Sequence, residues 1–382
     1  CPIDFLYLWA TDEFIALLGS KARIIREKKY YQYHMLWNVM ADNERFKTAE
    51  DGQKYYQEWA SELAKAMKDT YGLTPAEILH KLAMGEDVFD TSLDNQGKIN
   101  VMATTGGVYS TKEDVKVDFV VDNALTQSMI YSPEGGDVLP LPANYYTLAS
   151  NQMIIPQGKP SGGVEVQFTD AFFADPKSIN TTYVLPLRIT NVTNADSILS
   201  GTPKVGSLQR RAVADDWDVL PKDYTFYAVK YINTWHGNYL RRGQDVIVGK
   251  NGNTSLNQTL NRRNAAVEKD EVKNIVTVSR QNAKLPLTFK DTDGTNINIE
   301  LLLAFDNNNN CTISSATNGV TASGRGAFVK KGEKNSWGNT DRDGLYLEYQ
   351  IEMAQMSVST KDTLVMRDRG VKMETFNVAL KP

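Results

Sequence analysis

The sequence predicts a mainly β protein: a β-sandwich, a second β domain after it, and a short helical segment in front. Three observations predict this. After Gly85, apolar residues recur at every second position in short runs, the period of a half-buried strand. Gly, Pro, Asn and Asp separate those runs, as turns between antiparallel strands require. Before Gly85 the apolar spacing is helical instead.

Residues 1–84 read as three helices. Phe14, Leu17, Leu18, Ile24, Ile25 and Tyr31 form one apolar stripe, and Tyr55, Tyr56, Trp59, Leu63 and Met67 a second. Thr74-Pro75-Ala76-Glu77 has the form of a capping box with proline at the first helical position, where its missing N–H loses no bond. Ile78, Leu79 and Leu82 continue that helix, and Gly85 stands where it would end. The basic run Lys21, Arg23, Arg26, Lys28 and Lys29 reads as a solvated helix face, with Ile24 and Ile25 on the buried side. Contact with phosphate or an acidic membrane face is its other reading.

Residues 85–194 read as an immunoglobulin-like sandwich. Val115, Val117, Phe119 and Val121 alternate with Lys116 and Asp118, and Val164, Val166 and Phe168 with Glu165 and Gln167. Tyr183, Leu185, Leu187 and Ile189 alternate with Arg188 and Thr190. Each strand is therefore expected to have one apolar and one wet face. Pro186 cannot donate to a ladder and predicts an edge or a bulge. Residues 195–222 are polar, hold Gly and Pro and keep no period, so they predict a linker open to proteases. Residues 223–382 resume the alternation, with Ile299, Leu301 and Leu303 in one strand and Leu345, Leu347, Tyr349 and Ile351 in another. Asp291-Thr292-Asp293-Gly294 predicts a type I′ hairpin turn, and Asp306 to Asn310 a second hairpin turn. Calcium binding at the first would need a longer ligand ladder, and Glu300 is misplaced to complete it.

Bulk numbers exclude several classes. The chain has 382 residues, 41% hydrophobic and 23% charged, with a net charge of −4. That is ordinary for a globular protein of two or three domains and gives no basic footprint for nucleic acid. No apolar run is long enough to span a membrane as a helix. The two cysteines, Cys1 and Cys311, form neither a disulfide framework nor a metal motif. His34, His80 and His236 are never paired at metal-ligand spacing, so no metal and no cofactor is expected.

The wording of two stretches resembles a known group. The run from GEDVFDTSLDNQGKINVMATTGG through LPANYYTLASNQMIIPQGKPSGGVEVQFTDAFFADP to TTYVLPLRITN is similar to the DUF1735 N-terminal domain of Bacteroidetes surface lipoproteins. YAVKYINTWHGNYLRRG, KNSWGNTDRDGLYLEYQ and LVMRDRG resemble the DUF5627 domain that accompanies it, whose relatives are lipocalin-like. The resemblance covers the chain from Gly85 onward; the helical segment 1–84 departs from it. It implies a non-catalytic protein that binds or presents a glycan or oligosaccharide beside a SusC/SusD-type outer-membrane importer. It also implies a cell-surface location, with Cys1 acylated as a lipid anchor in the outer membrane. Enzymes carrying the same N-terminal domain add a TIM barrel with an acidic strand motif, and this chain has neither that motif nor the room. The same group modifies Asp-Ser/Thr followed by an apolar residue, which Asp196-Ser197-Ile198 and Asp362-Thr363-Leu364 match.

Candidate ligand residues are aromatic rings with polar neighbours, because a sugar offers an apolar face and a rim of hydroxyls. Trp235, His236 and Tyr239 supply such groups in one short piece, and Asn335 and Trp337 in another. Trp235 has a second reading as the core residue that closes a barrel base. Asp215, Asp216 and Asp218 beside Trp217 form the densest acidic group and read as solvated linker. A structural or adhesive protein-binding module is the first alternative function. A glycan-cleaving enzyme is the second, and needs two facing carboxylates.

Overall fold

The structure is a computed structural model, and the residues it describes are 91–106, 111–371 and 374–382, with Lys65 before them. The helical stripes expected in residues 1–84, the basic run and Cys1 lie outside the described residues, Lys65 excepted. Of the described residues 52% are strand and 11% helical, so the mainly β class holds. Two compact units are present. One is Thr91–Lys334, Asp341–Val365 and Phe376–Pro382; the other includes Asn335–Thr340 and Met366–Thr375.

The sandwich comprises β1 (Lys98–Thr104), β2 (Val115–Val121), β3 (Met129–Ser132), β4 (Leu139–Pro140), β5 (Tyr146–Leu148), β6 (Gln152–Ile155), β7 (Ser161–Phe168), β8 (Tyr183–Thr193), β9 (Thr202–Pro203), β10 (Trp217–Val219) and β11 (Tyr224–Val229). One sheet runs β1-β7-β5 and the facing one β11-β8-β2-β6, with β4 beside β8. Val115, Val117 and Phe119 point inward from β2 and meet Val164, Val166 and Phe168 of β7 in one core with Leu185 and Leu187. That is the alternation expected of a two-layer sheet pair.

Three sequence expectations are corrected here. Tyr183–Leu187 of β8 is buried on both faces, not one. Val184 packs into a second cluster with Met129, Tyr131 and Val138, joined by Phe226, Val378 and Leu380. Pro186 therefore sits in a central strand, between β11 and β2. Its carbonyl accepts the Asp122 N–H at 2.9 Å, just past the last β2 pair, Val121 with Leu187. A residue's N–H and C=O point to the same side of an antiparallel strand, so the proline nitrogen faces Asp122 at the end of the ladder and forfeits only that terminal bond. Finally, β11 pairs with β8 from Tyr224 to Val229. The sandwich sheet thus takes a strand from beyond the expected boundary at 222.

The stretch 195–222 is an ordered arm and not a loose linker. Lys222 N–H bonds Leu199 O at 2.8 Å, and Lys204 N–H bonds Asp216 O at 2.9 Å. β9 pairs with β10 between them. Asp216 is buried and holds Arg210 through a bidentate pair at 2.9 and 3.0 Å, while the buried Trp217 ring donates to Arg210 O at 2.8 Å. The acidic group read as solvated is in part the arm's anchor. The Arg210 side-chain hydrogen bond, aided by the Arg210 N–H, holds the Asp216 carboxyl down at about 2 from its ordinary 3.8. A depressed acid contributes its full stabilisation above its unfolded value and loses it as pH falls through the folded one. The arm is therefore expected to resist proteases from neutral pH to about 4 and to open only near about 2. Asp216→Asn should expose it to cutting at neutral pH, as read by limited proteolysis and mass spectrometry; an Asp216→Asn chain as resistant as the parent would refute the anchor.

The second β domain comprises β12 (Gly237–Gly249), β13 (Gln258–Arg262), β14 (Glu271–Thr277), β15 (Asn282–Lys290), β16 (Asn296–Phe305), β17 (Asn310–Ser315), β18 (Thr321–Glu333), β19 (Arg342–Glu352) and β20 (Met356–Asp368). β12 pairs with β20, so eight strands close into a barrel, with β13 added beside the second half of β12. The last strand, β21 (Asn377–Leu380), returns to pair with β3 of the sandwich. Leu285, Leu301, Leu303, Leu345, Ile351, Val358 and Leu364 are fully buried in the barrel. Eight strands leave an interior that side chains fill, and here β18 presses in closely. A Cβ at Gly324 would stand 2.4 Å from Glu348 O and 2.5 Å from Tyr349 Cβ.

Both hairpin turns use a three-residue loop with a left-handed residue, not type I′. Asp291 N–H bonds Thr295 O and Gly294 N–H bonds Asp291 O, at 3.0 and 3.2 Å. Only Gly294 has positive φ, 85°, where I′ needs two such residues. Asp306 to Asn310 repeats the pattern, with Asn309 at φ 64°.

A charged rivet sits where the barrel closes. Asp362 of β20 accepts Arg241 Nε at 2.8 Å, Tyr349 Oη at 2.8 Å and Arg262 at 2.5 Å. Asp245 of β12 accepts Thr360 Oγ1 at 2.6 Å and pairs with Arg262. Gly243 makes this possible: at φ 157°, any Cβ there would meet Lys361 O at 2.1 Å and Asp362 Oδ1 at 2.6 Å. Asp362 has no exposed side-chain surface, so the first residue of the Asp362-Thr363-Leu364 modification motif is enclosed, while Thr363 is half-buried. Asp196-Ser197-Ile198 is in an exposed turn, with Asp196 and Ser197 open to solvent.

Candidate functional site

An aromatic-and-polar hollow lies in the sandwich, away from the C-terminal domain to which the aromatic motifs pointed. The chain leaves β4 through Pro142 into a 3₁₀ turn, Ala143–Tyr145, which sets Asn144 and Tyr145 on the rim. After β7 comes a short helix, α1 (Asp170–Ala174), whose Ala171 and Ala174 line one wall. Asp175 then caps a second 3₁₀ turn, Pro176–Ile179. An Asp followed by Pro at the first turn position is a good start signal, since the carboxylate takes an orphan N–H.

These elements converge on one carboxylate. Asp175 Oδ1 accepts Lys177 N–H at 2.9 Å. Oδ2 accepts the Tyr145 hydroxyl at 3.0 Å and the Tyr183 hydroxyl at 2.6 Å. The two phenol rings meet edge to face at 5.8 Å, and Tyr145 also edges Phe172 at 6.3 Å. Around them lies a hollow of about 520 Å³ lined by Asn144, Tyr145, Ala171, Ala174, Asp175, Lys177 and Tyr183. Burial acts to raise the Asp175 pKa, but the bonds from Tyr183, Lys177 N–H and Tyr145 outweigh it and hold the carboxyl below its ordinary value. Tyr183 is pushed well above the ordinary phenol range by burial first and by Asp175 second. Tyr145 moves the same way for the same two reasons. The site thus holds one fixed anion and two neutral phenols.

The helix on its wall is held from the second domain. Tyr231 donates to Phe173 O at 2.9 Å. Arg280, in the β14–β15 turn, pairs with Asp170 at 2.5 Å and lies 5.2 Å over the Phe173 ring.

A carboxylate accepts about four hydrogen bonds, and three are in use. One acceptor position remains on Asp175, along with the lone pairs of two phenol oxygens. Asn144 and Lys177 add donors on an exposed rim. Such a set bonds a polyol, which gives and takes hydrogen bonds from adjacent hydroxyls. The lining holds a single carboxylate, whereas hydrolysis of a glycosidic bond uses two.

The sequence-selected residues lie elsewhere. Trp235 is buried, stacked on Phe305 at 3.8 Å and 5°, with its Nε1 donating to Asn309 Oδ1 at 3.3 Å. Tyr239 is fully buried, and its hydroxyl donates to Trp235 O at 2.9 Å. His236 Nδ1 accepts the Thr277 N–H at 3.1 Å. The structure therefore brings Trp235, His236 and Tyr239 together as the barrel's packed base. The open ring face expected at Trp235 is absent because Phe305 covers it. Asn335 and Trp337 belong to the other unit. Asn335 is exposed, at φ 42°; Trp337 is buried, so its ring is not the exposed platform expected. Among the described residues no three His, Cys, Asp or Glu gather as a metal site. What sequence reasoning missed, Tyr145, Asp175 and Tyr183, left only one local signal, the cap at Asp175-Pro176.

Comparison with known proteins adds the following. A DUF5627 domain of unknown function matches residues 234–370, and a model described as an N-terminal domain matches residues 77–196. No curated protein matches the chain. A solved structure from Bacteroides ovatus, of unknown function, is 42% identical, with a TM-score of 0.71, covering 78% of this chain and 93% of that one. Another, from Bacteroides ovatus ATCC 8483 and provisionally described as carbohydrate binding, is 9% identical over 74% of this chain and 92% of that one. Its TM-score is 0.21. At 42% identity over most of both chains, this protein belongs to the same family as the first Bacteroides ovatus protein, one in which an N-terminal β domain precedes a DUF5627 domain.

Proposed function

We propose that the protein is a non-catalytic glycan-binding protein of the cell surface, held in the outer membrane through an acylated Cys1 and working beside a SusC/SusD-type importer. The observation that carries the binding reading is the Tyr145–Asp175–Tyr183 hollow. Its apolar wall and its ring of fixed acceptors and rim donors suit one sugar unit of a chain. Its single carboxylate, already held by three donors, suits binding better than acid–base work. No helix among the described residues is long and apolar enough to cross a membrane, and a lipid anchor needs none.

The test is a glycan array on the full chain, followed by calorimetry. Tyr145→Ala removes a rim ring and a hydroxyl, and is expected to weaken the ligand found by about tenfold or more. Thermal melting should show the chain still folded. Incubation with the same ligand should release no reducing sugar. Affinity unchanged by Tyr145→Ala would place the sugar elsewhere.

One observation favours the protein-binding alternative. The arm at 195–222 exposes Leu199, Val205, Leu208, Val219 and Leu220, at 55% or more each. Grouped exposed apolar residues mark interaction surfaces. Val205→Ser with Leu208→Ser should then abolish co-purification of a partner without touching glycan affinity.

A further inference from the structure

The outer face of the barrel carries a groove of about 480 Å³ that crosses strands β12, β20, β19 and β18. Register places its residues in rows. Arg325 faces Glu348, and Glu348 faces Lys361; Ser323 faces Gln350, and Gln350 faces Ser359. Gln244 and Val246 of β12 complete the lining. The first row is charged, and the second is polar and uncharged, with Gln350 between two serines. Neighbouring strands lie about 4.8 Å apart, so four strands give a trough about 14 Å long. Its floor is Ser323, Gln350, Ser359 and Val246, and its wall is Arg325, Glu348 and Lys361.

The charges on that wall do not balance. Glu348 pairs with Lys361 at 3.3 Å, both well exposed. Arg325, directly opposite Glu348, makes no ion pair among the described residues, although they include many such pairs. A surplus guanidinium, in a chain of net charge −4, lies along a trough whose lining also holds the Glu348–Lys361 pair, the amides of Gln244 and Gln350 and the hydroxyls of Ser323 and Ser359. A guanidinium takes a planar carboxylate with two parallel bonds, while amides and hydroxyls take sugar hydroxyls.

We propose that this trough is a second glycan site, and that it selects a linear acidic polysaccharide, with Arg325 and Lys361 contacting its carboxylates. The proposal rests on the carbohydrate reading above but not on the Tyr145 hollow. An acidic peptide would satisfy the cations yet waste the hydroxyl floor.

The probes are oligogalacturonate, a neutral β-glucan oligomer and poly-glutamate, each titrated into the full chain by calorimetry at low and at physiological ionic strength. Oligogalacturonate is expected to bind, more weakly as salt screens the exposed cations. Arg325→Gln and Lys361→Gln should each weaken it by about tenfold, and Ser359→Trp should block the floor. Tyr145→Ala should leave this binding unchanged, which separates the two sites. No binding of oligogalacturonate, or binding indifferent to Arg325→Gln, would overturn the proposal. So would equal affinity for the neutral oligomer, or for poly-glutamate.

Discussion

Replacing Trp235 with alanine is expected to cost the barrel about 3–5 kcal/mol, the range for a buried Trp or Phe truncated in a core. The ring lies flat on Phe305 at 3.8 Å and ties to the Asn309 side chain at 3.3 Å. Asn309 is also the left-handed residue of its hairpin. Tyr239 bonds Trp235 O below it. Truncation therefore opens a cavity beneath Phe305 and leaves Asn309 Oδ1 without the indole donor. Trp235→Phe keeps a ring to stack and forfeits the indole bond, so it should lose only about 1 kcal/mol beyond repacking. Native domains hold about 5–15 kcal/mol in all, so the alanine chain is expected to sit near its limit. Guanidinium titration followed by near-ultraviolet circular dichroism reads both variants. An alanine chain within about 1 kcal/mol of the parent would mean that the base is not packed as described.

Asp362→Asn is expected to be as damaging, about 3–5 kcal/mol. The change keeps shape and removes charge. It leaves Arg241 and Arg262 with Asp245 as their one remaining buried carboxylate, and gives Arg241 Nε and the Tyr349 hydroxyl a neutral partner. A buried pair is costly to break, yet often neutral to replace whole by apolar groups. The triple variant Arg241→Met, Tyr349→Phe, Asp362→Leu removes one positive and one negative charge and spares the Arg262–Asp245 pair. It should therefore be markedly more stable than Asp362→Asn alone, a sign of coupling that separate sites do not show. Additive losses across the three positions, measured in the same denaturation cycle, would refute the rivet.

Most of the strands were legible and most of the site was not. Val115 to Phe119 and Ile299 to Leu303 alternate by period, and their buried positions are the apolar ones. β8 misleads because its second face is covered by chain from far away, including β21 some two hundred residues on. The arm at 195–222 misleads for the opposite reason. Its stability rests on Arg210 with Asp216 and Arg211 with Asp223, and charged residues in a polar run look like solvent-facing ones. Trp235 carried two readings in the sequence, and Phe305 decided between them.

By itself the sequence determined the class, the strand positions and the places where turns fall, because periodicity and turn chemistry are local properties of neighbouring residues. Only the tertiary structure decided that β11 joins β8, that Arg241 meets Asp362 across 121 positions, and that Tyr145 and Tyr183 share the carboxylate of Asp175. Those pairings depend on which faces close on one another once the chain is compact. A period of two says which side of a strand is buried; it carries nothing about the strand, or the charge, that will cover it.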